Sequence, residues 1–143
     1  MKFINSNYPF TKNLHLIIST ICIVPVALVY GLYPTKVLFK LFDLKVVDTN
    51  LLTIFRAMMS LYLAMTAVWI TGILRPGFWF TATITNIVFM GGLAFGRLLS
   101  LVLDGLPSKY FLAGLMVESA LTLLALKSLK QNRAATVADK GGF

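Results

Sequence analysis

The sequence predicts an all-α protein, a membrane-embedded antiparallel four-helix bundle with an amphipathic interfacial helix between its first two spans. Two features of the composition predict this fold class: 58% of the 143 residues are hydrophobic and only 13% are charged. Soluble domains average about 45–50% apolar and about 25% charged residues. The third observation is that the apolar residues are concentrated in four long runs. These observations exclude an ordinary water-soluble enzyme, a disordered chain and a DNA-binding domain, despite a net charge of +8.

The four apolar runs approach or exceed the roughly 20 residues that a helix needs to cross a bilayer. Within a single domain, residues 1–130, the predicted spans are about 14–33, 51–74, 78–103 and 110–126, followed by a polar C-terminal tail at 131–143. The first run follows basic residues, as in a signal peptide, but no small-residue cleavage site ends it, so we interpret it as a membrane helix. Short turn-forming segments join the last three spans and make them antiparallel neighbours.

The segment between the first two spans, about residues 35–47, predicts an amphipathic helix that lies in the headgroup plane. Lys36, Lys40 and Asp43 recur at helical spacing on one face, and apolar residues occupy the other. The segment is too short and too charged to cross a bilayer, which favours an interfacial position. A packed extramembrane loop is the alternative. One of three residues is expected to cap the following span: Asp48, Thr49 or Asn50.

Basic residues predict the orientation of the four spans. The side with both termini and the second connection carries seven: Lys2, Lys12, Arg75, Lys127, Lys130, Arg133 and Lys140. The opposite side carries four: Lys36, Lys40, Lys45 and Lys109. Because cytoplasmic loops are enriched in Lys and Arg, we expect a bacterial inner-membrane protein with both termini in the cytoplasm. The positive charge then reflects topology and attraction to the lipid bilayer, and no nucleic-acid partner is expected.

Four charged residues lie inside the predicted spans or at their boundary: Arg56, Arg97, Asp104 and Glu118. A charge at mid-bilayer costs at least about 2.5–3.5 kcal/mol, so such residues usually face inward and pair. All four lie in the half of the bundle near the first and third connections, so we predict a buried polar cluster in which an arginine pairs with Glu118 and Arg97 also pairs with Asp104. Ser60 and Ser100 extend the polar stripes of the same helices. The cluster has three interpretations: a structural network, a site for a polar head group, ion or proton, and a docking surface.

The third predicted span carries a G-x-x-x-G pattern at Gly92 and Gly96. Small residues let helices approach closely in lipid. We expect intrachain packing, with homo-oligomerisation as the alternative. His15 is expected to anchor the first span at the interface, and Cys22 to be a small core or lipid-facing residue. The sequence contains no catalytic constellation or metal-ligand cluster, so no catalytic residue, metal or cofactor is predicted.

Three segments carry a resemblance to a known family: LLTIFRAMMSLYLAM, GLAFGRLLSLVLDGLPS and LMVESALTLLAL. Over about residues 30–129 the chain resembles the bacterial family of small four-helix membrane proteins filed as domain of unknown function 4345. The resemblance implies a four-helix membrane fold akin to the DoxX-like group, and no catalytic mechanism. The motif residues of the family correspond to Arg56, Arg97, Asp104 and Glu118. Met58-Met59-Ser60 departs from the family, in which small residues follow the arginine.

These features support three functional hypotheses. The first is a non-enzymatic accessory or interaction subunit of a larger membrane assembly, or a homo-oligomer. The second is a small-molecule, lipid or ion/proton carrier whose site is the polar cluster, with a cavity between the second, third and fourth spans that opens outward. The third, a quinone-linked membrane enzyme, has only Cys22 and His15 as candidate reactive groups, and both are expected to lie toward the other half of the first span, away from the cluster.

Overall fold

This computed structural model describes residues 8–140, and it describes side chains for residues 12–134. The described part of the chain contains five α-helices, one short 3₁₀ turn and the loops between them. The elements in chain order are α1 (Tyr8–Gly31), α2 (Pro34–Phe42), α3 (Thr49–Leu74), the 3₁₀ turn (Pro76–Phe78), α4 (Trp79–Leu103) and α5 (Lys109–Lys140). No strand occurs among the described residues. The predicted all-α fold class is confirmed.

Four helical segments of the described chain are long and apolar enough to cross a membrane: Lys12–Gly31, Thr49–Leu74, Pro76–Leu103 and Lys109–Ala134. The shortest has 20 residues, which corresponds to about 30 Å of helix and matches the thickness of a bilayer core. Many of their side chains remain exposed although they are apolar, as expected of surfaces in contact with lipid. The chain therefore has the features of a multi-pass membrane protein.

The last helix is longer than the sequence predicts. α5 continues to Lys140, so the segment that we assigned to a polar tail from residue 131 is helical through Lys140, and residues 141–143 lie outside the described part. The sequence KSLKQNRAATVADK is rich in Ala, Lys, Leu, Gln and Arg, which are good helix formers. Extending an existing helix needs no new nucleation, so such a segment continues it without apolar periodicity.

The predicted interfacial helix is shorter than residues 35–47. α2 ends at Phe42 because Asp43 adopts a left-handed conformation, with φ 56°, and residues 43–48 are not helical. Aspartate is among the few residues that tolerate this conformation. Leu38 of α2 and Val46 of the following loop are both buried. The segment thus combines a short helix with the packed loop that was the alternative.

The four long helices form a ring in which α1 and α4 each pack between α3 and α5. Asp48 caps α3, its Oδ1 accepting hydrogen bonds from the backbone N–H groups of Asn50 (2.7 Å) and Leu51 (3.2 Å). At the crossing of α1 and α3, Gly31 has no side chain and Met59 occupies the space. We call the end of the ring that carries α2 the α2 end, and the end that carries the 3₁₀ turn the turn end.

The core of the bundle is continuous along α1, α3 and α4. It contains an aromatic chain in which Phe89 packs edge-on against both Tyr62 (5.1 Å between ring centroids) and Trp69 (5.6 Å). Other buried members of the core are Leu16, Ile23, Ala27, Tyr30, Leu38, Val46, Trp79, Ala82, Met90, Leu121 and Leu129. Aromatic side chains fill this side of the ring, whereas the seam between α1 and α5 is more open.

Candidate functional site

A single ion pair lies inside the described part of the bundle. Arg97 of α4 donates a hydrogen bond from Nε to Oε2 of Glu118 of α5 at 2.7 Å, and the two side chains are 21% and 7% exposed. Each charge alone would be costly in this apolar setting, and pairing offsets part of that cost. The pair therefore joins α4 to α5 at a fixed register.

The guanidinium of Arg97 packs against α5. Its Cζ lies 5.4 Å from the centre of the Phe111 ring, at cation–π distance. A Cβ on Gly114 would lie 3.2 Å from the same Cζ, so the absence of a side chain at Gly114 makes room for the arginine. Tyr30 of α1 is a further side-chain neighbour of the guanidinium. Residues of three elements thus fix the orientation of the arginine.

The ion pair forms part of the wall of a cavity of about 410 Å³ between α1, α4 and α5, which we call the lateral cavity. A volume of this size lies within the range of small-molecule sites, about 300–1,000 Å³. The wall is otherwise mainly apolar and is lined by Cys22, Ile23, Pro25, Val26, Val29, Tyr30, Leu41, Phe42, Met90, Tyr110, Phe111, Ala113, Gly114, Val117 and Leu121. The lateral cavity is therefore an apolar site with one charged pair in its wall.

The lateral cavity opens sideways and is covered at the α2 end. Pro25 of α1 and Val117 of α5 line it and are exposed, so the opening lies in the seam between these helices. Phe42 of α2 stacks on Phe111 at 4.7 Å between ring centroids and meets Tyr110 edge-on at 5.8 Å. If the four long helices cross a bilayer, the opening faces lipid and α2 separates the cavity from the headgroup region.

The other members of the predicted polar cluster lie outside this site. Arg56 and Ser60 are exposed on α3, and the Ser60 hydroxyl donates to the backbone carbonyl of Arg56 at 3.1 Å. Among the described residues neither arginine pairs with Asp104, which accepts a hydrogen bond from Ser100 at 2.8 Å at the exposed end of α4. Arg56 and Ser60 lie outside because other side chains of α3 occupy the interior of the bundle.

On α3, large aromatic and thioether side chains occupy the packed face. The packed face of α3 carries Phe55, Met59 and Tyr62. The polar residues Arg56 and Ser60 therefore lie on the outer face of the helix. Burial of a large apolar side chain favours folding by about 1.5–3 kcal/mol, whereas an arginine near a helix end reaches the interface with its long stem. The site is consequently bounded by α1, α4 and α5 and opens laterally; the predicted position between the second, third and fourth spans, opening outward, was wrong.

The glycine pattern of α4 does not contribute to intrachain packing. Gly92 and Gly96 are exposed, and among the described residues no atom lies within 4 Å of a Cβ built on either. Gly114 and Gly31, which the sequence analysis did not single out, are the glycines that admit Arg97 and Met59. Spacing alone could not separate them, because exposed and buried glycines look the same in a helical run.

A second polar group, which the sequence analysis did not find, lies near the turn end. His15, which was expected to anchor the first span at the interface, is buried inside the bundle, and its Nε2 lies 3.2 Å from the Thr83 hydroxyl. Ser19 and Asn86, one turn further along the same two helices, are fully buried, and their polar side-chain atoms have no hydrogen-bond partner in the described part of the chain. The available signal was periodicity: residues 15 and 19, and residues 83 and 86, share helical faces.

An apolar bundle with a buried arginine–glutamate pair and a lateral cavity defines a multi-pass membrane protein with a small-molecule-sized internal site. Comparison with protein families assigns the chain to a family. A family model described as a domain of unknown function, DUF4345, matches residues 11–129, and the chain belongs to this family. No curated protein and no solved structure matches the chain.

Proposed function

We propose that this protein binds a membrane-soluble amphiphile in the lateral cavity, with the polar end of the molecule at Arg97 and Glu118. The observation that carries the proposal is a buried ion pair in the wall of an otherwise apolar cavity of about 410 Å³. Ligand sites generally combine such an apolar lining with a few well-placed polar groups. In this proposal the protein is a binding protein or carrier and catalyses no reaction.

The direction of access supports a ligand that is dissolved in the bilayer. Leu41 and Phe42 cover the cavity at the α2 end, whereas exposed Pro25 and Val117 border its side opening. Pro25 also removes one backbone N–H from the middle of α1, and helices with such interruptions are tolerated in membranes where neighbouring groups satisfy the freed carbonyl. A molecule that diffuses within the bilayer reaches this opening without passing the headgroups.

Filling the cavity tests the proposal. Val117→Phe places a larger side chain at the edge of the cavity, and Leu123→Phe places the same side chain at an exposed position of α5 that does not line it. Native mass spectrometry of protein extracted in mild detergent should detect a bound molecule in the wild type and in Leu123→Phe, and little or none in Val117→Phe. A wild type that carries no bound molecule, and that takes up no long-chain probe saturably, contradicts the proposal.

Self-association is a second candidate, favoured by the open surface at Gly92 and Gly96 on α4. A Cβ at either glycine would meet no other helix of the described residues, which leaves a flat helix face on which a second helix could approach closely. In this proposal the protein is a homo-oligomer or a subunit of a larger membrane assembly. Replacing both glycines by leucine should shift the mass measured in detergent to the monomer, and an unchanged mass argues against this interface.

A further inference from the structure

We infer that the head group of the ligand is electrically neutral and accepts hydrogen bonds, as a carbonyl, ester or ether oxygen does. This inference rests on the proposed function of the lateral cavity and names the chemical class of its ligand. It follows from the donors that Arg97 retains and from the charge that Glu118 cancels.

Arg97 retains donors for a ligand. A guanidinium has five N–H groups, and in this protein the Nε–H is committed to Glu118. Arg97 lines the lateral cavity, and Tyr30 is a second side-chain hydrogen-bond partner of its guanidinium, so at least three of the five N–H groups are left for a ligand. In Glu118, Oε2 is already engaged by the arginine. The remaining donors of Arg97 are therefore complemented by an acceptor on the ligand.

The charge of the site does not favour an ionic head group. Arg97 and Glu118 line the same cavity and carry opposite charges, so an anion there is attracted by one and repelled by the other at a similar distance. An ion also loses its hydration when it enters, and no net charge compensates this loss. A neutral carbonyl loses less hydration and still accepts a hydrogen bond from the arginine. The balance selects neutral acceptors over carboxylates, phosphates and amines.

Two lysines are adjacent in sequence to cavity-lining residues at the α2 end, Lys40 and Lys109, and both are exposed, so they do not change this balance. Lys109 is exposed at the start of α5, with its Nζ over the Tyr110 ring at 5.4 Å from the ring centre. It precedes Glu118 by nine residues, which is about 13 Å along a helix. An exposed charge at that separation is largely screened by solvent and salt. The ion pair therefore decides the charge preference of the cavity.

The experiment compares three probes with the same alkyl chain: methyl palmitate, palmitate and palmitylamine. Binding to the full chain is measured in nanodiscs of zwitterionic phospholipid, at a pH at which palmitate and palmitylamine are charged, and is corrected for partition into empty nanodiscs. The wild type should bind methyl palmitate at least about tenfold more tightly than either charged probe, a difference of about 1.4 kcal/mol. In Glu118→Gln the positive charge of Arg97 is no longer cancelled, so palmitate should become the preferred probe.

The possible outcomes separate this inference from the proposed function. Preference of the wild type for palmitate or palmitylamine overturns the inference and leaves an occupied lateral cavity. Failure of all three probes to bind the wild type overturns the proposed function itself. If Glu118→Gln does not fold, the ranking in the wild type still decides, and the double variant Arg97→Gln, Glu118→Gln, which also has a neutral site, should show no gain for palmitate. A gain for palmitate in the double variant contradicts the inference.

Discussion

Arg97 and Glu118 depend on each other because each is the counterion that the structure provides for the other. Arg56, of the same residue type and also within a helix that could cross a membrane, is exposed on α3 only seven residues from the start of the helix, so its long side chain can reach the headgroup region. The difference lies in burial, since only a desolvated charge requires compensation. The two arginines therefore form a matched pair for testing what the ion pair contributes to stability.

Removing one member of the pair should destabilise the fold, and removing both should restore much of the loss. Glu118→Gln leaves a buried guanidinium without its carboxylate, a change that costs about 3–5 kcal/mol when a buried pair is broken. The double variant Arg97→Met, Glu118→Met replaces the pair by apolar side chains and should unfold close to the wild type. Arg56→Gln should change stability by less than about 0.5 kcal/mol. Thermal unfolding in detergent measures all three, and additive losses in the double variant would show that the residues do not form a coupled pair.

Asn86 should limit stability. Its side chain is fully buried and both polar atoms lack partners among the described residues, an arrangement that costs about 1–3 kcal/mol per unsatisfied group. Asn86→Leu keeps the branching and the number of side-chain heavy atoms and removes both unpaired polar atoms, so it should raise the unfolding temperature. Thr83→Val, one turn away, removes the hydroxyl that contacts His15 and should lower it. A drop in stability for Asn86→Leu would indicate that the amide is satisfied by a bound molecule or by water.

At the scale of elements, α2 acts as the cover of the lateral cavity. Phe42 links it to α5 through the Phe111 ring, whereas Phe39 on the same short helix is exposed and does not line the cavity. An aromatic stack contributes about 0.5–1.5 kcal/mol beyond the area that it buries. Loss of the stack weakens the cover without removing any group from the polar end of the site.

Phe42→Ala should therefore accelerate dissociation of the proposed ligand by about two- to tenfold, the kinetic equivalent of that stacking energy. Phe39→Ala is the matched control and should leave the dissociation rate unchanged. Exchange of bound methyl palmitate, followed in nanodiscs by stopped-flow displacement, measures the rate. Equal rates in the two variants would mean that molecules leave only through the seam between α1 and α5.

The elements differ in how well the sequence predicts them. Long apolar runs with turn residues between them predict the four long helices, because bilayer thickness and helix rise fix the length. The end of α2 was predicted less well, since a single left-handed residue, Asp43, ends it while the amphipathic pattern continues. The last part of α5, beyond residue 126, shows no apolar periodicity in its sequence. Its helical structure is explained by the helix propensity of its residues alone.

Only part of the candidate site was predicted, because the rest depends on how the helices of the whole molecule pack together. Membrane energetics selects charged residues in spans, and this criterion found Arg97 and Glu118. It could not tell which helix face turns inward, so it also selected Arg56, and it could not place α1 beside α4 and α5. Ring order depends on packing between residues far apart in sequence. Tyr30, Pro25 and Phe42 therefore became visible as cavity residues only in the structure.

The arrangement of the whole bundle in the membrane gives the last prediction. Basic residues are more numerous on the side of the turn end, so we expect that end to face the cytoplasm and the α2 end to face the opposite side. Cys22 is the only cysteine, so Cys22→Ser provides a background for single reporters at Ser108, near the α2 end, and at Gln131, near the turn end. Both positions are exposed.

A membrane-impermeant maleimide applied to intact cells, with the outer membrane permeabilised, should label Ser108→Cys and should label Gln131→Cys only after lysis. The lipid-side opening of the cavity would then lie in the half of the bilayer that faces away from the cytoplasm, because Arg97 and Glu118 lie toward the α2 end. The reverse labelling pattern would place the cavity in the cytoplasmic leaflet and assign the proposed ligand to the lipids of that leaflet.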